Sequence, residues 1–248
     1  MALSDVECGK RAICAGPGNP PVVVDESADI DKAARDIVFG ASMDNNIICV
    51  DEKVVFVVES VADQLLQALA ANGSYVLKEY ERKKIDRVIF SELGEPGRPG
   101  RVDARWIGKN AGTILEEIGV RTGRDMRLAI ADVPAEHSLV WTEQMMPVLP
   151  VVRTRTVDEA IDLAIQAEHG CGHTASIYSR DVNAITRMAR DIDVSIFVAN
   201  AAHLAGLGDG GEGHTSFSIA SPTGEGLTRP RSFSRERRMT VAGGLRIV

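Results

Sequence analysis

The thiol of Cys49 is the first candidate for chemistry, because it lies in the polar segment 44–53 between a predicted helix and a predicted buried strand. Rigid elements hold a cysteine on such a loop while leaving it reachable, and loop N–H groups can lower its pKa or bind an oxyanion. Free cysteine is more often a small buried hydrophobe, so position alone leaves that alternative open. Cys8 and Cys14 are weaker candidates, and Cys171 is a further one.

Two histidines flank Cys171 in the segment HGCGH, between a predicted helix end and a predicted strand. Metal ligation is possible, but a helix-capping turn is the simpler interpretation of His169. His173 lies at the mouth of the strand, where α/β sheets place ligand-contacting groups, and a neutral imidazole there can exchange a proton with a thiol. No Cys-x-x-Cys or Cys/His spacing indicates a zinc site.

Two further segments carry weaker signals. The glycine-rich segment 206–214 lacks the Gly-Lys-[Ser/Thr] ending of a phosphate loop and opens no helix, so we interpret it as a loop passing close to another surface. Glu143 is either an exposed loop acid or a ribose ligand, and spacing alone does not decide between them.

The elements that must position these residues alternate between β-rich runs and amphipathic helices, which predicts an α/β fold with a mostly parallel sheet flanked by helices. Asp29 is the candidate N-cap of the first helix. Segments 92–100 and 206–226 are predicted to be loops, and the tail 232–241 an exposed strand that pairs with another chain. The predicted strands are 21–24, 54–58, 127–133, 148–152, 174–178 and 195–198, and the predicted helices are 30–39, 61–71, 157–168 and 182–192.

Composition excludes several classes of protein. The 248 residues are 44% hydrophobic and 25% charged, which is typical of a globular protein with a packed core. A net charge of −7 argues against nucleic acid as a partner. The longest uncharged stretches, 12–24 and 195–208, are shorter than the ~18 residues of a membrane span. With no basic start before an apolar run, we expect a cytoplasmic protein whose four cysteines are free thiols.

Six motifs together resemble the CoA-acylating branch of the aldehyde dehydrogenase superfamily, the type found in ethanolamine and propanediol utilisation. Each motif is weak alone, but six in the family's order are specific. The resemblance runs from Gly9 to about Met239 and covers only the C-terminal catalytic half of that family. The motifs are GKRAICAGPGNPPVVVDESADI, NNIICVDEK, TEQMMPVLPVV, HGCGHTASIYS, SIFVAN and GGEGHTSFSIASPTGEG.

The resemblance implies a role for each candidate residue. Cys49 would be the nucleophile that forms a thioester from a short-chain aldehyde, with NAD as hydride acceptor and coenzyme A as acyl acceptor. The Cys49 N–H would be one oxyanion donor, with the second supplied from outside this chain. Glu143 would bind the ribose beside the nicotinamide, and His173 would accept the proton of CoA. Hydrolytic relatives carry a glutamate where this chain has Cys14-Ala15-Gly16-Pro17-Gly18-Asn19-Pro20, so CoA is favoured over water.

The resemblance also implies an organisation. Residues 1–228 would form the catalytic domain and residues 229–248 a tail with an oligomerisation strand, while the N-terminal Rossmann-type NAD domain would be absent from this chain. A homo-oligomer at full length and a bacterial microcompartment, with its shell as a partner, are further expectations. Two alternatives stay open: a non-catalytic aldehyde dehydrogenase-like interaction module that uses the tail, and a Cys/His hydrolase that uses Cys49 and His173.

Overall fold

Valine-rich runs form a seven-stranded parallel sheet in the computed structural model, which describes residues 11–123 and 125–244. Its strands are β1 (Pro21–Val24), β2 (Val54–Val58), β3 (Ser74–Val76), β6 (Leu128–Asp132), β7 (Val148–Thr154), β8 (Thr174–Tyr178) and β9 (Ile196–Ala199). The order is β3-β6-β7-β2-β1-β8-β9. Two antiparallel pairs lie outside this sheet: β4 (Phe90–Glu92) with β5 (Arg101–Val102), and β10 (Ile219–Ala220) with β11 (Gly226–Leu227).

The two central strands, β1 and β2, are buried on both sides, which is why they consist almost wholly of apolar residues. In the register of β1, Val22 lies between Val55 of β2 and Ser176 of β8. All described strand pairs of the large sheet are parallel. The α/β class and all six predicted strands are thus confirmed, with boundaries that move by one or two residues.

Helices cover both faces of the sheet and bury one apolar stripe each. On one face, the helices 30–41 and 59–71 pack against the strands through Ile37, Leu65 and Leu69, while the other face carries the remaining helices around Phe56. Asp29 caps the first helix as predicted, since its side chain accepts from the Lys32 N–H. The helices are α1 (Ile30–Ala41), α2 (Glu59–Ala71), α3 (Glu79–Ile89), α4 (Ala111–Glu117), α5 (Ser138–Trp141), α6 (Val157–Ala167) and α7 (Val182–Asp191).

Two predictions need correction, and a third is confirmed. The segment 206–226 is not wholly irregular, because it begins in the turn His203–Leu207 and contains β10 and the 3-10 turn Ser221–Thr223. The segment 92–100 is the exposed link between β4 and β5, as predicted. The tail forms the turn Pro230–Phe233 and then no strand up to residue 244, since a strand needs a neighbouring edge for its hydrogen bonds. Its pairing with a second chain stays a prediction.

Candidate active site

Three predicted site residues and Gly18 lie at the amino ends of neighbouring strands. Gly18 precedes β1, Cys49 precedes β2, Glu143 precedes β7 and His173 precedes β8. These four strands are neighbours in the order β7-β2-β1-β8, so the four segments meet at their amino ends. Open α/β sheets normally bind ligands at the carboxyl ends, which was the ground for singling out the mouth of β8. His173 therefore directly precedes β8 as predicted, but it lies at the amino ends of the strands and not at the carboxyl ends, where such sites are usual.

A strained turn presents Cys49. Asp44, Asn45 and Asn46 have φ of 43°, 55° and 62°, a left-handed run that asparagine and aspartate tolerate better than most residues. The next turn closes around the thiol: the Asp51 N–H donates to Ile48 O at 3.2 Å, and the Ile48 N–H donates to Asp51 Oδ2 at 3.2 Å. Cys49 occupies the second position of this turn and is half-buried.

Three consecutive charged residues, Asp51, Glu52 and Lys53, lie fully buried behind that turn. Burial raises the pKa of Asp51 to about 7 and the pKa of Glu52 to about 8, because a carboxylate loses its hydration there. Burial lowers the pKa of Lys53 to about 8, and the nearby carboxyl groups oppose this shift. A charged run is usually solvated, so this buried cluster was missed in the sequence.

Burial and the neighbouring carboxylates favour the thiol form of Cys49 over the thiolate in this chain. Burial raises the pKa of the thiol, and the carboxylates of Glu143 and Asp51 add to the rise. The ammonium group of Lys53 and a backbone hydrogen bond act in the opposite direction. Cys49 therefore needs a proton acceptor, or a change in its surroundings, before it becomes an efficient nucleophile.

Gly18 brings the Cys49 turn and His173 together. A Cβ atom at residue 18 would lie 3.0 Å from His173 Cγ and 3.1 Å from the Cys49 carbonyl oxygen. Only a residue without a side chain allows the backbone this close to both groups. The sequence analysis singled out segment 14–20 for its missing acid but did not identify Gly18 as the contact.

The imidazole of His173 is buried, with one nitrogen paired and one free of protein partners. Nδ1 lies 2.9 Å from Thr174 Oγ1, whereas Nε2 has no hydrogen-bond partner among the described residues. Burial, with the charge of Lys53, lowers the pKa of His173 to about 4. The ring is therefore neutral near pH 7, the form that can accept a proton at one nitrogen.

Glu168, which the sequence analysis did not single out, holds the segment that carries His173. Its Oε1 accepts the His173 N–H at 2.8 Å, and the N–H groups of residues 170–172 also point to this carboxylate. Burial raises the pKa of Glu168, and those four hydrogen bonds oppose the rise. His169 has φ of 61°, and its Nε2 lies 2.9 Å from Trp141 O, so it fixes the turn as the simpler interpretation predicts.

Glu143 is half-buried beside Gly18, whose backbone donates a hydrogen bond to its carboxylate. Burial raises the pKa of Glu143, while Lys53 opposes the rise. The charge of Glu143 also acts on Cys171, whose thiol pKa is raised by burial first and then by Glu168 and Glu143. A partly exposed carboxylate next to Cys49 is an acceptor that fits a ribose hydroxyl group.

The end of loop 206–226 contacts the backbone of segment 14–16 and of Gly172, close to the site. The Cys14 N–H donates to Thr223 Oγ1 at 3.1 Å, and Pro222 packs directly against Gly16. Ser221 Oγ donates to Gly172 O at 2.9 Å. Loop 206–226 thus runs close to the site as predicted. An apolar cavity of about 340 Å³ lies between the first half of this loop and the Cys49 turn. The residues that line it include Met43, Ile48, Leu204, Leu207, Gly208 and Phe217.

Residues 11–123 and 125–244 contain no group of three or more histidine, cysteine or acidic residues arranged to hold a metal ion. None of the helices described is both long enough and apolar enough to cross a membrane. Cys14, Cys49 and Cys171 are free thiols, as predicted, while Cys8 lies outside the described residues.

Comparison with known proteins gives consistent relatives. Acetaldehyde dehydrogenase (acetylating) EutE of Salmonella typhimurium is 49% identical over 239 residues, covering 96% of this chain and 51% of that protein. The structure of Rhodopseudomonas palustris propionaldehyde dehydrogenase with bound CoA and an acylated cysteine is 46% identical, with a TM-score of 0.88 and coverage of 95% and 52%. A propionaldehyde dehydrogenase from the fucose utilisation bacterial microcompartment of Clostridium phytofermentans is 39% identical, with a TM-score of 0.89 and coverage of 96% and 54%.

The family assignment rests on these relatives and on the sequence pattern described as Aldehyde dehydrogenase family, which matches residues 2–79 and 112–222. The fold agrees, since the described residues superimpose on half of each solved relative. The chain spans about half the length of these relatives, and it belongs to the aldehyde dehydrogenase family.

Proposed function

We propose that this chain provides the thiol-bearing catalytic half of an NAD-dependent, CoA-acylating aldehyde dehydrogenase, with Cys49 as the nucleophile. The observation that carries the proposal is the Cys49 turn itself. A half-buried thiol stands on a rigid loop at the sheet edge, with His173 and Glu143 next to the same backbone segment. The substrates are a short aliphatic aldehyde and CoA, and the product is an acyl-CoA.

The chemistry assigns one task to each group. The Cys49 thiolate adds to the aldehyde carbonyl, and the N–H of Cys49 donates to the oxyanion that develops. NAD, when bound, supplies the hydride acceptor that turns the adduct into a thioester. Glu143 holds the ribose next to the nicotinamide through its carboxylate. In the second half-reaction, Nε2 of His173 takes the proton of CoA, whose sulfur attacks the thioester carbonyl and releases the Cys49 thiolate.

Two features support CoA over water as acyl acceptor. Segment 14–20 carries no acidic side chain next to the thiol. Glu143 does stand beside Cys49, but its carboxylate already accepts the hydrogen bond of the Gly18 N–H. A relative of this chain carries CoA and an acylated cysteine in one structure, which is the intermediate that the proposal requires.

The proposal extends beyond the residues of this chain. A Rossmann-type NAD domain outside them would supply the rest of the cofactor site and the second oxyanion donor. Homo-oligomerisation through residues 232–241 is part of the same proposal. So is residence in a bacterial microcompartment, which the microcompartment relative supports. Residues 1–228 would then act as the catalytic domain and residues 229–248 as the tail.

Exchange between labelled CoA and an unlabelled acyl-CoA tests the proposal without hydride transfer. The chain is incubated with propionyl-CoA and isotopically labelled free CoA, and labelled propionyl-CoA is measured by mass spectrometry. We expect exchange in the wild-type chain and none in Cys49→Ser. Release of propionate without exchange would instead support the Cys/His hydrolase. Neither exchange nor hydrolysis, with unchanged self-assembly in both forms, would support the interaction module.

A further inference from the structure

The side chain of Lys53 points back into the loop that presents Cys49. Its Nζ donates to Asn46 O at 2.7 Å, to Asn46 Oδ1 at 2.7 Å and to Ile48 O at 3.0 Å. An ammonium group has three N–H donors, so all three are used. The acceptors are neutral oxygens, and therefore the charge is held by oriented dipoles rather than by one carboxylate.

Those acceptors belong to the strained part of the loop. Asn46 is the last of the three left-handed residues, and the Ile48 carbonyl also accepts the Asp51 N–H that closes the turn around Cys49. Left-handed non-glycine residues persist only where the surroundings over-determine them. The ammonium group links Asn46 to Ile48, the two neighbours of Ile47, and so holds the turn in place.

Lys53 also sets the charge behind the thiol. Among the groups acting on Cys49, the carboxylates of Glu143 and Asp51 disfavour the thiolate, and Lys53 favours it. The fields of Asp51, Glu143, Cys49 and Glu52 all act in turn to keep Lys53 protonated against the effect of its burial. The same cation disfavours protonation of the two buried histidines near the site, His173 and His203.

We propose that Lys53 is a positioning residue with two linked tasks: its ammonium group holds the loop 46–48 that presents the Cys49 thiol, and its buried positive charge stabilises the Cys49 thiolate. The inference deepens the proposed function and rests on Cys49 being the nucleophile. Lys53 itself touches neither substrate nor reacting atoms. Its effect passes through the backbone and the electrostatic field of the loop.

Alkylation of Cys49 by iodoacetamide tests this role, because it needs no aldehyde, NAD or CoA. The rate is followed on the Cys49 peptide by mass spectrometry from pH 6 to pH 10. Lys53→Met should be alkylated about tenfold more slowly than wild type at pH 7, and this difference should shrink as wild-type Lys53 loses its charge above its pKa of about 8. Loss of packing alone would slow alkylation by the same factor at every pH.

Two variants separate the tasks and control for the substitution. Lys53→Gln keeps hydrogen-bond donors but has no charge, so its alkylation should slow at pH 7 as in Lys53→Met with a smaller loss of thermal stability. Lys83→Met removes a lysine that is exposed on α3 and pairs with Glu79 on the surface, and it should leave the profile unchanged. A wild-type rate of alkylation at pH 7 in both Lys53 variants would overturn the proposal.

A measurement on the wild-type chain covers the case in which neither Lys53 variant folds. Nitrogen-15 NMR of labelled lysine should show one slowly exchanging, protonated side chain at pH 7 that is protected from solvent. A neutral Lys53 amine at pH 7 would overturn the proposal. If acyl exchange fails while alkylation of the Lys53 variants slows at pH 7 as expected, the proposed function is wrong and the role of Lys53 toward the thiol still holds.

Discussion

Gly18→Ala places one methyl group at the point where the Cys49 turn meets His173. The added Cβ would stand 3.0 Å from His173 Cγ, 3.1 Å from Cys49 O and 3.2 Å from His173 Cδ2, inside the 3.4 Å at which ordinary contact begins. Backbone oxygen and a buried ring are poor groups to displace, because neither is the free end of a flexible chain. Each must therefore move by a few tenths of an ångström.

The energetic and kinetic costs follow from that displacement. Overpacking a tight site by one methyl group costs about 1–3 kcal/mol of stability. Misplacing a catalytic group by 1 Å costs about a hundredfold in rate, so a shift of a few tenths should slow acyl exchange by about threefold to tenfold. Exchange between propionyl-CoA and labelled CoA gives the rate, and urea unfolding gives the free energy of unfolding.

Gly123→Ala is the matched control for this prediction. A Cβ at residue 123 meets no atom of the described residues within 4 Å, so the same substitution there should change neither quantity. If Gly18→Ala kept wild-type exchange and wild-type stability, the close approach of residue 18 to Cys49 and His173 would be wrong, and so would the site built on it.

Three further predictions concern charge. Glu143→Gln removes a carboxylate that raises the Cys49 pKa, so alkylation at pH 7 should become about threefold faster, the effect of half a pKa unit; a slower rate would contradict the electrostatics. His203 is buried and its pKa is lowered from 6.5 to about 3, so the unfolded chain takes up its proton first as pH falls. Relative to wild type, His203→Gln should gain about 1.4 kcal/mol of stability per pH unit below 6.5, measured by urea unfolding. Burial raises the pKa of Glu52 from 4.5 to about 8, so the folded chain holds this proton and wild type loses stability as pH rises between those values. Glu52→Gln should therefore gain stability relative to wild type as pH rises through that window. For either variant, a stability difference from wild type that does not change with pH would refute the pKa assigned to that residue.

Much of the fold can be predicted from the sequence because its strongest signals are local. The apolar runs of β1 and β2 have no solvated face, and Asp29 stands directly before a helical apolar stripe. The highly charged α3 was missed, since only Ile85 and Ile89, four residues apart, mark its buried side together with Glu81. The short strand β3, with three residues, gives too little periodicity to recognise.

The candidate site divides in the same way. Residue types together with the family resemblance singled out Cys49, Glu143 and His173, but their assembly depends on contacts across the sheet. Gly18 meets His173 because β1 and β8 are neighbours, which no local pattern reveals. The buried position of the Lys53 side chain is equally hidden in the sequence, because a lysine after two acids is typical of a solvated loop. Only the structure brings together the three oxygens that accept its hydrogen bonds.

The most direct test of the nucleophile is peptide mass spectrometry of the chain after incubation with propionyl-CoA. The thioester step runs in reverse in this experiment, so the acyl group should be found on the thiol that the mechanism uses. The account predicts a propionyl group confined to Cys49, which CoA removes again. A propionyl group on Cys14 or Cys171, with Cys49 still free and open to iodoacetamide, would contradict it.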